Sequence, residues 1–248
     1  MRRFDVLLFD LGNTLLYFDG IWSEIFAEGV RGMLAILRTE GIALTEDAFA
    51  PKFRACLNEY YLQRDTEFVE YTTLWVLNNL LIELGYPNTP PQVQRAALNA
   101  LYAVSQTHWL REDDAIPTLQ TLQQHGYRLG LISNAGDAHD LNALIDQHNL
   151  RDFFEVIFIS AEVGIRKPNP KIFKMALQAM GNPERARVAM IGDTLGADIL
   201  GAHNAGIFSI WITRRADTPQ NREHIQHIQP HLTIETLAEL PQRLNRLP

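Results

Sequence analysis

Cysteine is almost absent from this chain. Cys56 stands alone, so no intramolecular disulfide can form and a reducing compartment is indicated. Its apolar helical surroundings read as a packing site for a thiol, not as the setting of a nucleophile. Long apolar runs are missing too, and no stretch approaches membrane-spanning length. Arg2 and Arg3 lie near the start, but Asp5 and Asp10 interrupt any signal-like apolar segment. Together these absences predict a cytoplasmic protein with no membrane partner. Basic charge is not in excess either. A formal net charge of -7 works against nucleic acid, although a local basic pocket can still hold a phosphate. Neither an internal repeat nor a low-complexity tract occurs.

What is present falls into two textures, and 248 residues suffice for one sizeable core plus a smaller inserted unit. The first texture is strand-like. Residues 4–9, 127–132, 155–159, 188–191 and 208–212 are short runs of Val, Ile, Leu and Phe bounded by glycine or polar residues. Such runs suit strands buried on both faces of a parallel sheet. Helical segments alternate with them. Pro117 opens a helix over 118–125 that Gly126 closes, and Asn169-Pro170 opens one over 171–180 that Gly181 closes. Strand then helix, repeated, predicts an α/β fold with a doubly wound parallel sheet.

The second texture fills residues 18–111 and carries no convincing strand. Apolar residues at Ile21, Ile25, Phe26, Met33, Leu34 and Leu37 predict a helix stopped by Gly41. Thr45 caps a second helix in which Pro51 predicts a kink or restart. A third helix is expected over 68–84, with Leu74, Leu77, Leu81 and Leu84 on one stripe. Thr89-Pro90 begins a fourth that runs towards Trp109. The division predicted is a core of residues 1–17 and 112–248, with an inserted four-helix cap domain over 18–111.

Polar residues fall just past successive strands of the core. Asp10 follows the first, Ser133-Asn134 the second, Lys167 the third, and Asp193, with Asp198 five residues on, the fourth. In a parallel sheet those loops open on one edge, so the side chains can converge. Carboxylate oxygens suit Mg²⁺, and a lysine with a hydroxyl suits a phosphate. Singly, each residue has an ordinary reading as a turn former, a cap or a solvated cation.

Phe9-Asp10-Leu11-Gly12-Asn13-Thr14-Leu15, Ile132-Ser133-Asn134, Arg166-Lys167-Pro168 and Ile191-Gly192-Asp193-Thr194 through Gly206 stand in an order that resembles the haloacid dehalogenase-like hydrolases. The resemblance covers essentially the whole chain and points to the phosphatase branch, with a Rossmann-like core and the cap inserted after the first motif. It implies Asp10 as the nucleophile that takes up a phosphoryl group, and Ser133, with Asn134, as substrate-binding. It implies Lys167 as the cation that offsets charge on both phosphate and nucleophile. Mg²⁺ is implied on Asp10, the Gly12 backbone carbonyl and Asp193, with Asp198 a ligand through water or a support for Lys167. The partner implied is a small phosphorylated metabolite.

Position 12 departs from the family. The resemblance implies an aspartate there whose carbonyl ligates the metal and whose side chain protonates the leaving group. Gly12 retains the carbonyl and lacks the acid, which elsewhere contributes about 10²- to 10⁴-fold. Asn13 tolerates the left-handed backbone that such a turn can require. Three outcomes follow. One is a phosphatase acting on good leaving groups, such as acyl, aryl or anomeric phosphates, or with a stand-in acid such as Asp19. Another is a metal-independent 2-haloacid dehalogenase, against which Asp193 and Asp198 argue. The third is a phospho-ligand binder or scaffold without activity.

Three further features are set aside as ordinary. His224, His227 and His231 read as a solvated loop, and Arg214-Arg215 as a surface charge pair. The aromatics Tyr60, Tyr61, Phe68, Tyr71 and Trp75 read mostly as helical core, with one or two free to shape substrate choice.

Overall fold

The computed structural model describes residues 2–247, which divide into two compact units. One takes the chain up to Phe18, Leu110–Ala135 and everything from Ile145 on; the other takes Asp19–Trp109 and Gly136–Leu144.

The first unit is built on a parallel sheet. Its strands are β1 (Val6–Phe9), β4 (Arg128–Ser133), β5 (Val156–Ile159), β6 (Val188–Gly192), β7 (Phe208–Ile212) and β8 (Leu232–Ile234). Two short strands, β2 (Leu16–Phe18) and β3 (Trp109–Arg111), pair with each other where the chain passes between units. The large sheet runs β5-β4-β1-β6-β7-β8, every pairing parallel. β1 and β6 are buried along their whole length, which is why they read as uninterrupted apolar runs. Phe9 is level with Leu131 on one side and Ile191 on the other. β6 runs one residue and β4 two residues past that level, so Asp10 emerges between them.

Helices cover the sheet as the alternation predicts, with two shifts. Pro117 is the third residue of a helix beginning at Ala115, because a proline within the first turn gives up only an N–H that has no helical partner. Asn169 caps the helix Pro170–Ala179, its side chain accepting from the Lys171 N–H. β8 was not expected from the sequence, being three residues in a polar stretch. His231, just before it, is no solvated loop residue. Its ring stacks on Phe208 at 4.7 Å, and its Nδ1 accepts from the Ser209 N–H at 3.1 Å.

His231 Nδ1 also meets the Ser209 hydroxyl at 2.7 Å, and His203 Nε2 meets the same hydroxyl at 3.0 Å. Burial, then the neighbouring His231, holds His203 below the ordinary histidine range. The folded state thus binds fewer protons there than the unfolded chain. Its contribution is present above the unfolded value of about 6.5 and is lost as pH falls through and below it. Between about pH 8 and pH 5, His203→Gln is expected to lose less melting temperature than the parent. Equal losses in thermal melts would remove His203 from the account.

The second unit is helical: α1 (Trp22–Thr39), α2 (Glu46–Glu67), α3 (Thr73–Glu83) and α4 (Pro91–Gln106). α1 lies close against α4, and a Cβ at Gly29 would come within 2.6 Å of the Leu101 carbonyl oxygen. Met33, Leu37, Phe49, Phe53, Leu77, Leu81 and Leu98 form its buried core. Pro51 neither ends nor restarts α2. The third helix begins five residues later than the apolar pattern suggests. Phe68 has φ +55° and closes α2 as a left-handed residue, and the Thr72 side chain caps α3 by accepting from the Trp75 N–H. Tyr60 is core, whereas Tyr61 and Trp75 are exposed.

Gly136–Leu144 belongs with this helical unit, against the expectation that it sits in the α/β core. The reason is polar. Gly136 accepts from the Thr73 N–H at 2.7 Å, Arg95 pairs with buried Asp137 at 2.9 Å, and Gln106 donates to Asp140 at 2.8 Å. Among the described residues, no helix is long and apolar enough to cross a membrane.

Candidate active site

Asp10 follows β1 with its own N–H donated to Ile191 of β6 at 2.9 Å. Lys167 comes from the loop beyond β5 and is 2% exposed. Its ammonium donates three hydrogen bonds: to Asp10 Oδ1 at 2.6 Å, to Asp198 Oδ1 at 2.7 Å and to the Ile132 carbonyl at 2.6 Å. Three hydrogens meet three acceptors. A phosphate oxygen could reach this nitrogen only by replacing one of them, and no N–H is left over for a leaving group.

Asn134 explains why Lys167 arrives there. Its amide oxygen accepts from the Lys167 N–H at 2.9 Å, and its amide nitrogen donates to the Lys167 carbonyl at 2.9 Å. This reciprocal pair stitches the end of β4 to the Lys167 loop. Expected as a substrate contact, Asn134 spends its carbonyl and one N–H on backbone. The Ala135 N–H donates to Ser160 Oγ at 2.9 Å and ties the next residue down. Ser133 closes β4, buried, beside the end of β1.

Asp193 follows β6, and Asp198 lies on a π-helical turn, Leu195–Ile199. Loose turns of this kind occur often at functional sites. Asp198 Oδ2 accepts from the Thr194 N–H at 2.9 Å, so both its oxygens are engaged. Gly192 has no room for a side chain, since a Cβ would lie 2.3 Å from the Asp198 carboxylate. Oxygens of Asp10, Asp193 and Asp198 all fall within 4.8 Å of one another. At position 12 the glycine makes a single bridge to Leu16, and it is not among the glycines at positive φ. Asn13 is, with φ +55°, so an asparagine there meets a real backbone demand.

Electrostatics follow from burial. Desolvation pushes the Asp10 carboxyl up to about 6; Lys167 opposes the shift and Asp198 adds to it. Desolvation also raises Asp193 well above the carboxylate range, helped by Asp198 and Asp10. For Lys167, burial works against the ammonium, but Asp10 and Asp198 outweigh it and hold its pKa above the ordinary value. Three carboxylates against one ammonium leave two negative charges in excess when all are ionised. A hard divalent cation bound by oxygen fits that donor set and that deficit.

Other candidates do not join this cluster. Arg214 is engaged by Glu112 at 2.6 Å and Asp114 at 2.7 Å, and Arg215 by Glu112 at 2.8 Å while lying 4.0 Å over the Tyr17 ring. These arginines clasp β2 and the chain after β3, so they are not the surface charge pair expected. Asp19 is exposed, in the helical unit. Among the described residues, the three aspartates form the one carboxylate, histidine or cysteine group suited to a metal, so the His224, His227, His231 stretch assembles none. Two residues that the sequence did not single out, Trp211 and Asn221, hydrogen-bond the Asp193 carbonyl.

The sheet order, the four loops at one edge and the Lys167–aspartate cluster agree with similarity to known proteins. The chain belongs to the haloacid dehalogenase-like hydrolases, whose family profile matches residues 4–206. It is 30% identical to glyceraldehyde 3-phosphate phosphatase of Methanopyrus kandleri over 94% of this chain and 97% of that one. It is 42% identical to pyrimidine 5'-nucleotidase YjjG of Escherichia coli over 117 residues, which is 47% of this chain and 49% of that protein. The crystal structure of a HAD phosphatase from Thermococcus onnurineus superposes with a TM-score of 0.64 at 25% identity, covering 97% of each chain.

Proposed function

We propose that this hydrolase is a Mg²⁺-dependent phosphatase that hydrolyses a small phosphorylated metabolite through an aspartyl-phosphate on Asp10. The observation that carries the reading is the buried cluster of Lys167 with Asp10 and Asp198, with Asp193 alongside. Phosphatase relatives that align over nearly the full length support it. Asp10, Asp193 and the Gly12 carbonyl would hold the cation. When bound, it supplies positive charge that lets two anions meet and offsets charge developing in the in-line displacement.

The chain's own residues do the rest. An Asp10 carboxylate oxygen attacks phosphorus, forming the aspartyl O–P bond as the bond to the leaving oxygen breaks. Lys167 holds Asp10 in place and favours its ionised form, and Asp198 holds Lys167. Ser133 would hydrogen-bond a phosphoryl oxygen. Water then attacks phosphorus, releasing inorganic phosphate and restoring the Asp10 carboxylate. The helical unit, Asp19–Trp109 with Gly136–Leu144, would act as the cap that excludes other water. No side chain at position 12 delivers a proton, and Lys167 has none to spare, so substrates with good leaving groups should be preferred.

Phosphate release from an aryl phosphate, with Mg²⁺ and with chelator, tests the reading. Release that needs the metal supports it. Halide release from 2-chloropropionate without metal, or neither activity with tight phospho-ligand binding, overturns it. Installing the absent acid is the sharper probe. Gly12 is not among the glycines at positive φ, so Gly12→Asp should raise alkyl phosphate turnover at least about tenfold, and aryl turnover less. Equal turnover of both before and after would show that the proton is not limiting.

A further inference from the structure

Asn221 lies outside all four motifs, on the short helix Pro219–His224, yet it is 2% exposed and hydrogen-bonded in three directions. Its Oδ1 accepts from the Leu195 N–H at 2.7 Å. Its Nδ2 donates to the Asp193 carbonyl and to the Ala216 carbonyl, each at 2.9 Å. The indole N–H of Trp211 donates to the same Asp193 carbonyl at 2.8 Å. Beyond the end of β6 the chain has no ladder to direct it. Asp193 O, Thr194 N and Leu195 N are instead fixed by Asn221, Trp211 and Asp198.

Only a primary amide of this length fits. The site needs one acceptor and two donors on one planar group, facing one N–H and two carbonyls. Aspartate has no donors, and glutamine carries the amide one methylene further. The Asn221 backbone N–H is itself held by Thr218 Oγ1 at 3.2 Å, which anchors the helix that presents it. We infer that Asn221, assisted by Trp211, is a positioning residue: it sets the Asp193 backbone and so aims the Asp193 carboxylate at the cation. This rests on the phosphatase reading above.

The test is Mg²⁺ binding to the full chain by titration calorimetry, with Mg²⁺ half-saturation of turnover measured alongside. Partners that orient a metal ligand typically matter about 10- to 100-fold in affinity. Asn221→Ala should weaken Mg²⁺ binding about tenfold or more, and kcat at saturating Mg²⁺ should recover to within about threefold of the parent. Trp211→Phe keeps the ring packing and removes one donor, so it should shift affinity the same way by less. It also decides the matter should Asn221→Ala fail to fold. A merely structural asparagine would lower melting temperature and leave the Mg²⁺ Kd unmoved. Kd values within about twofold of the parent in every variant that folds would overturn the assignment. A parent chain that binds no Mg²⁺ would overturn it together with the phosphatase reading, whereas tight parental binding untouched by the variants sinks Asn221 alone.

Discussion

Asp10→Asn is expected to lower phosphate release by at least about 10⁴-fold, because an amide oxygen cannot serve as the nucleophile. Loss of fold does not explain such a result. The carboxyl sits at about 6, above its unfolded value, so holding it ionised at neutral pH costs the metal-free native state stability. Asparagine removes that cost and still offers an oxygen to the Lys167 ammonium. The variant should therefore melt no lower than the parent in chelator. Steady-state release from an aryl phosphate, with a thermal melt of the same sample, checks both halves. Residual activity within about tenfold of the parent would take Asp10 out of the nucleophile's role.

Lys167→Met is expected to cost both activity and fold. The lysine is buried and separates two carboxylates, at 2.6 Å from Asp10 and 2.7 Å from Asp198. Without it those carboxylates face each other uncompensated, and removing one partner of a buried pair typically costs about 3–5 kcal/mol. Denaturant unfolding should show a loss of that size near neutral pH in chelator. Adding Asp198→Asn should restore part of it by removing one orphaned charge, so the two changes are strongly non-additive. Additive losses would mean that the lysine contributes through its packing and not its charge.

Much of the core was legible because a strand buried on both faces can only be apolar. β1, β4, β6 and β7 appear in the sequence within two residues of their observed ends. β8 escaped because three residues carry no period, and its place depends on Ser209 and His231 meeting across 22 positions. The start of α3 was misread for a related reason. Phe68 and Tyr71 extend the apolar pattern, but the left-handed Phe68 breaks the helix, and the capping threonine at 72 was the better signal.

Within the site, the charged groups were legible from their places after strands. The structure brings Asp10, Lys167, Asp193 and Asp198 together. The roles of the amides were not legible, although Asn134 itself was singled out as a substrate contact. Asn134 pairs with backbone 33 residues away and Asn221 with backbone 28 residues before it, and no local pattern announces either. Gly12 shows the opposite case. The sequence alone exposed the missing acid, and the structure adds that Lys167 has no N–H free to replace it.

The central claim is that phosphoryl transfer passes through Asp10 although Gly12 provides no proton. Rapid acid quench during turnover of an aryl phosphate with Mg²⁺, followed by mass spectrometry of the peptide spanning residues 9–14, tests it most directly. The account predicts that this peptide gains the mass of one phosphoryl group, and that the adduct vanishes in Asp10→Asn. Sustained turnover with an unmodified peptide at every quench time would contradict it.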